Sequence, residues 1–201
     1  MVLTYKDNVV LFYDYKTFQL TYVHQWRYVG FGLTSNYNHD TNNLEEFVKH
    51  QEVWMTTGGT HLLSLELPPS FRFGPPMVKK AIPITFNGLR LRYVNEMDYN
   101  HETGTIYGNI WTSDFIVEVD PKTGICLHLW DLTPLKLQQP DNVDVMNGIA
   151  CDSRSKGCLI TGKFWPNIYN VDLLITATSA RDVPSAFYHD YCTEFKAPSE
   201  Q

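Results

Sequence analysis

An all-β fold made of repeated sheet units is what this sequence predicts, on three observations. Short β-branched and aromatic runs, mostly alternating with polar residues, recur along the chain; turn signals separate them; and two long stretches superpose at a fixed offset. In chain order the strand runs are "NVVLFYDY", "EVWMTT", "HLLSLEL", "LRLRYV", "TIYGNIW", "FIVEVD", "CLITGKFW" and "NIYNVDL". The segments "KDN", "GGT", "NHETG", "SD", "DPKTG" and "DSRSKG" carry the turn chemistry between them. No amphipathic helix of ten or more residues is legible, and "NNLEEFVKH" (42–50) is a short helical candidate set in a loop.

The offset carries the topology. "VNEMDYNHETGTIYGNIWTSDFIVEVDP" (94–121) lies over "MNGIACDSRSKGCLITGKFWPNIYNVDL" (146–173), with Asn95 on Asn147, 52 residues on (147 − 95). A third copy, 30–68, carries extra length in the polar stretch 37–51, where a loop insertion is cheap. Units of about 40–50 residues with several strands each cannot bury both sheet faces alone and stack around an axis, which is the plan of a β-propeller. A β-sandwich is the main rival for short strands at this spacing, and the long repeat weighs against it. The predicted organisation is a single propeller domain over 1–201. Residues 1–24 supply the outer strands of one blade, 30–68, 94–121 and 146–173 supply fuller units, and 174–201 form a poorly patterned tail. That amounts to about three and a half to four blades, so the propeller reads as incomplete.

Composition limits the partners. The 201 residues carry 43% hydrophobic and 19% charged side chains with a net charge of −6, the balance of an ordinary globular chain. Nothing here favours nucleic acid, and no apolar stretch approaches the roughly 20 residues that span a bilayer. Met1 is followed by "VLTYKDNVVLFYDY", which lacks the basic and long apolar regions of a signal peptide and reads as strand. Cys151 and Cys158 flank "DSRSKG" and are either a cross-strand disulfide or two separate thiols. The seven histidines show no metal-binding spacing, and "DYNHETG" (98–104) has alternating oxygen ligands without the rest of a calcium loop; a structural divalent metal is not indicated. One position stands out: Lys163 follows Gly162 inside the apolar run "CLITGKFW", either as an edge charge that discourages strand pairing or as a cation aimed into a pocket.

Four blocks resemble one family, the plant and bacterial glutaminyl-peptide cyclotransferases. "LTYKDNVVLFYDYKTF", "YVGFGLT", "VNEMDYNHETGTIYGNIWTSDFIVEVDPKTG" and "MNGIACDSRSKGCLITGKFWPNIYNV" match its L-T-W, G-W-G-L-T, L-N-E-L-E-Y through D-P-x-T-G, and L-N-G-I-A through V-T-G-K-x-W-P blocks, over roughly residues 3–171. The resemblance implies a five-bladed β-propeller that converts the N-terminal glutamine of peptides to pyroglutamate with release of ammonia and needs no organic cofactor.

By the same resemblance, Asn95 and Lys163 are the catalytic positions and Trp111 a wall of one pocket at the end of the central channel. Tyr5 and Phe31 stand where the family has two pocket tryptophans; both stay aromatic but lack the indole N–H. The family's N-terminal region, with the acidic residue assigned to proton transfer, has no counterpart here. Two functions follow: a glutaminyl cyclase, or a non-catalytic propeller piece that kept the pocket without the proton shuttle.

Overall fold

The computed structural model describes residues 2–5, 7–37, 51–152, 157–173 and 182–194, with the backbone alone at Tyr5 and Asp152. The helical candidate at 42–50 and the turn at 153–156 lie outside them. The first sheet holds β1 (Val2–Tyr5), β2 (Val9–Tyr13) and β3 (Leu20–Gln25), in that order. The second runs β4 (Leu33–Ser35), β5 (Val53–Met55), β6 (His61–Glu66) and β7 (Met77–Pro83). A small hairpin, β8 (Thr85–Phe86) and β9 (Leu89–Leu91), precedes the third sheet. That sheet orders β10 (Val94–Asn100), β11 (Thr105–Ile110), β12 (Phe115–Val119) and β13 (Cys126–Asp131). A one-turn helix α1 (Thr133–Lys136) leads to the fourth sheet, β14 (Met146–Asp152), β15 (Gly157–Gly162) and β16 (Tyr169–Val171). The chain then returns through α2 (Ser185–Tyr191) to β17 (Cys192–Thr193), which pairs with β9.

Within each of the four large sheets, consecutive strands pair antiparallel, the up-and-down meander of a propeller blade. Among the described residues the blades are held by three cores. Val10, Phe12 and Trp26 pack with Val53, Met55, Leu63 and Leu65 between the first and second sheets. Trp54 and Leu62 meet Ile106, Ile110 and Val117 between the second and third. Tyr107 and Ile116 meet Met146, Ile149, Cys158 and Ile160 between the third and fourth.

Strand periodicity explains the burial pattern. Every residue of β11 and β12 is buried, because alternate side chains feed opposite cores: Ile106 and Val117 one way, Tyr107 and Ile116 the other. On the first and last sheets the alternation is one-sided. Leu3, Leu20 and Val23 of the first sheet and Leu159 of the fourth are exposed, while Val10, Phe12, Cys158 and Ile160 are buried. The all-β, propeller-like reading of the sequence therefore holds.

Turns are built as the sequence indicates. Asp120 accepts from the Lys122 N–H at 2.9 Å and from the Thr123 hydroxyl at 2.7 Å. Asp14 accepts in the same way from Lys16 N–H at 3.0 Å and Thr17 N–H at 2.8 Å. Four residues after each aspartate the backbone is left-handed, at Gly124 (φ 75°) and at Phe18 (φ 55°), so the first sheet makes the same turn without the glycine.

Cys151 and Cys158 face each other across β14 and β15 and are joined as a disulfide, which settles the two readings left open by the sequence. The ring it closes is short, with a separation of 7 residues, so its constraint on the unfolded chain is modest. Replacing both cysteines by serine is expected to cost about 2 kcal/mol, read as a lower denaturant midpoint.

Candidate functional site

The site is assembled where the inner strands β4, β10 and β14 come side by side. Asn95 is the tie between them. Its side-chain amide donates from Nδ2 to Oδ1 of Asn147 on β14 at 2.9 Å. Its backbone carbonyl accepts from the Thr56 hydroxyl at 3.4 Å, and that hydroxyl accepts from the Gly32 N–H at 3.1 Å. Gly32 has no side chain because none fits: a Cβ there would lie 1.8 Å from the Asn95 carbonyl oxygen.

Both inner strands carry the same irregularity. The β10–β11 register shifts between Val94 and Met97, and the β14–β15 register shifts between Met146 and Ile149. In each bulge two residues oppose one, Asn95 and Glu96 in β10, Asn147 and Gly148 in β14. The buried Asn109 on β11 bridges the two blades by accepting the Gly148 N–H at 3.0 Å.

The repeat also places the aromatic and the cationic candidates. Trp111 and Lys163 are 52 apart (163 − 111), the offset of Asn95 and Asn147. Trp111 N–H bonds the Tyr93 carbonyl at 2.8 Å and Lys163 N–H bonds the Val145 carbonyl at 3.0 Å, each two residues before the asparagine of its own blade. Trp111 and Lys163 therefore stand at the same end of neighbouring blades.

That corrects the strand runs read from sequence: β11 stops at Ile110 and β15 at Gly162, so Trp111 and Lys163 both open turns rather than continue strands. The next residue in each case is left-handed without being glycine, Thr112 at φ 65° and Phe164 at φ 62°. Such conformations persist only where the surroundings over-determine them. Lys163 is exposed, as is Phe164, and Trp165 turns back into the core, its indole N–H donating to the Asp144 carbonyl at 3.1 Å.

Phe31 and Trp111 meet edge to face, with ring centroids 6.0 Å apart, and Tyr93 meets Trp111 likewise at 5.9 Å. Phe31 also lies against Gly58, where a Cβ would come within 2.7 Å of its ring. The aromatic wall is thus Phe31, Trp111 and Tyr93, the last of which the sequence reading did not single out. Tyr5 is the final residue of β1, opposite Val9, and its side chain lies outside the described part of the structure.

Sequence reasoning also missed Glu96. It lines a cavity of about 290 Å³ with Asn147, Gly148, Leu159, Thr161 and Ile168. Burial first, and then the negative charge of Asp98, push its carboxyl up to about 7. Asp98 itself is held in place, accepting the Cys151 N–H at 2.7 Å across to the fourth sheet. The signal was present as an acid directly after Asn95, inside the bulge that interrupts the simple alternation of the strand. Among the described residues no group of three or more His, Cys, Asp or Glu side chains is placed to hold a metal ion, and no helix is long and apolar enough to cross a membrane.

Known proteins and a known family are similar to this chain. The chain is 32% identical over 153 residues to the glutaminyl-peptide cyclotransferase of Arabidopsis thaliana, an alignment covering 69% of this chain and 47% of that protein. Its structure resembles the crystal structure of the Myxococcus xanthus glutaminyl cyclase, with a TM-score of 0.65 and 26% identity, covering 84% of this chain and 65% of the other. The chain thus spans about half the length of the plant relative and less than two thirds of the bacterial one. The sequence model of the glutamine cyclotransferase family matches residues 1–173, and the chain belongs to that family.

Proposed function

We propose that this chain carries the pocket of a glutaminyl-peptide cyclotransferase, an aminoacyltransferase that closes the N-terminal glutamine of a peptide to pyroglutamate. The observation that supports this most is the arrangement of Asn95, Trp111, Phe31 and Lys163, with an amide, an aromatic wall and an ammonium-bearing residue at one end of adjoining blades. In the reaction the substrate's α-amine attacks its own γ-carboxamide carbon. A C–N bond forms, the carbonyl oxygen takes up charge in a tetrahedral intermediate, and the C–N bond to the amide nitrogen breaks as ammonia leaves. The proton lost by the amine goes to that leaving nitrogen.

Because the nucleophile is intramolecular, the protein's task is to fold the side chain back, stabilise the oxygen and move one proton, and no organic cofactor is required. Trp111 and Phe31 are the walls that hold the folded side chain. Lys163 is assigned to the developing oxyanion and Asn95 to the carboxamide. Glu96, a carboxyl that exchanges its proton near neutrality next to Asn95, is the group suited to the proton transfer.

The test is ammonia release from a glutaminyl peptide above the spontaneous rate. Lys163→Ala is expected to lower it by about 10²–10³, the usual loss of one oxyanion donor. Its exposed turn position keeps the effect on unfolding free energy within about 0.5 kcal/mol. Release that is absent, or that survives the substitution in full, would sink the assignment.

A further inference from the structure

The family match ends at residue 173, yet the structure beyond it returns to the aromatic wall. Helix α2 is anchored by Phe187, which is buried against Phe115 at 4.9 Å and Phe86 at 5.8 Å. β17 continues from it as a third strand on the β8–β9 hairpin, with Cys192 opposite Leu91. The junction between helix and strand grips Thr112, which follows Trp111, and Arg92, which precedes the Tyr93 whose carbonyl Trp111 bonds.

On one side, the Tyr191 hydroxyl donates to the Thr112 carbonyl at 2.9 Å and lies 3.4 Å from the Thr112 hydroxyl. On the other, the Tyr191 carbonyl accepts the Arg92 N–H at 2.9 Å, and the Asp190 carbonyl accepts from Arg92 Nε at 3.1 Å and Nη2 at 2.8 Å. The guanidinium so held lies over the Tyr93 ring, 4.9 Å from its centroid. Tyr93 and Thr112 both have left-handed backbones, φ 66° and 65°, and Trp111 is bonded to one and adjacent in sequence to the other. Strained residues on either side of an exposed indole need outside support to stay in one conformation. The returning segment supplies it.

We propose that residues 185–193 act as a brace that fixes the Trp111 indole for substrate, with Tyr191 as its positioning residue. The role in substrate binding rests on the function proposed above; the brace itself does not. Tyr191→Phe keeps the ring and the helix packing and removes only the hydroxyl. The Trp111 contribution to fluorescence, isolated as the difference between proteins with and without Trp111→Phe, is expected to become more accessible to acrylamide. The thermal midpoint stays close to that of the parent.

In the peptide assay Tyr191→Phe is expected to raise KM about fivefold, the effect of one ordinary hydrogen bond on the population of the held wall, with kcat little changed. Arg92→Lys keeps the charge but loses the two-pronged grip on Asp190 and the stacking on Tyr93, and moves the same two readouts in the same direction. Unchanged quenching in both variants would overturn the brace. A quenching change with no cyclase activity in the parent would overturn the function reading and leave the brace standing, whereas a KM unchanged in an active protein would overturn its role in binding.

Discussion

Gly32→Ala is expected to lower stability by about 3 kcal/mol or more, or to prevent folding, although it adds a single methyl group. The added carbon would sit 1.8 Å from the carbonyl oxygen and 2.9 Å from the carbonyl carbon of Asn95, and 3.1 Å from the Met97 side chain. The first two are backbone atoms of β10, so no rotamer change relieves the clash. β4 and β10 would have to separate. That separation breaks the Gly32–Thr56–Asn95 chain of hydrogen bonds and drags on the Asn95–Asn147 bond that joins the next blade. Gly59→Ala is the control, since a Cβ there meets only the Thr57 hydroxyl, at 3.6 Å, and it is expected to stay within about 0.5 kcal/mol. Denaturant midpoints of the two variants decide it: equal midpoints would mean that the blades do not approach as closely as the structure has them.

The sequence was most informative where period and repeat agreed. Alternation in "TIYGNIW" and "FIVEVD" told of strands, and the 52-residue offset paired Asn95 with Asn147, which the structure places in matching bulges and joins by a direct bond. Strand ends were harder. "CLITGKFW" stays apolar past Gly162, and nothing in it marks the left-handed turn at Phe164 that leaves Lys163 and Phe164 exposed while Trp165 is buried. The return of α2 and β17 was illegible for a different reason. A seven-residue helix and a two-residue strand have too little periodicity to read, and their fixing contacts, Phe187 on Phe115 and Tyr191 on Thr112, join positions far apart in the chain. Glu96 was hidden by the bulge, a feature of register rather than of composition.

The Glu96 carboxyl gives the second large expectation, a stability that falls as pH rises through the acid-to-neutral range. Its folded-state value of about 7 lies above the 4.5 of an unperturbed glutamate, because partial burial and the Asp98 charge disfavour the ionised form. Below about pH 4.5 folded and unfolded chains both hold the proton and the group contributes nothing to the pH dependence. Between 4.5 and 7 the unfolded chain releases the proton while the folded one keeps it, so the unfolded state gains relative to the native one; above 7 the loss is complete and constant. A full shift of this size would correspond to about 3 kcal/mol, and solvent reaching a half-buried carboxyl reduces the expectation to about 1–2 kcal/mol. Glu96→Gln, which cannot ionise, is therefore expected to match the parent near pH 4 after allowance for the amide and to exceed it by that amount at pH 8. The difference between the two denaturant midpoints, followed against pH, isolates Glu96 from the other titrating groups. A rise confined to pH 4.5–7 identifies the carboxyl as the group that trades a proton near neutrality beside Asn95, and a flat difference would show that solvent, rather than the blade interface, sets its ionisation.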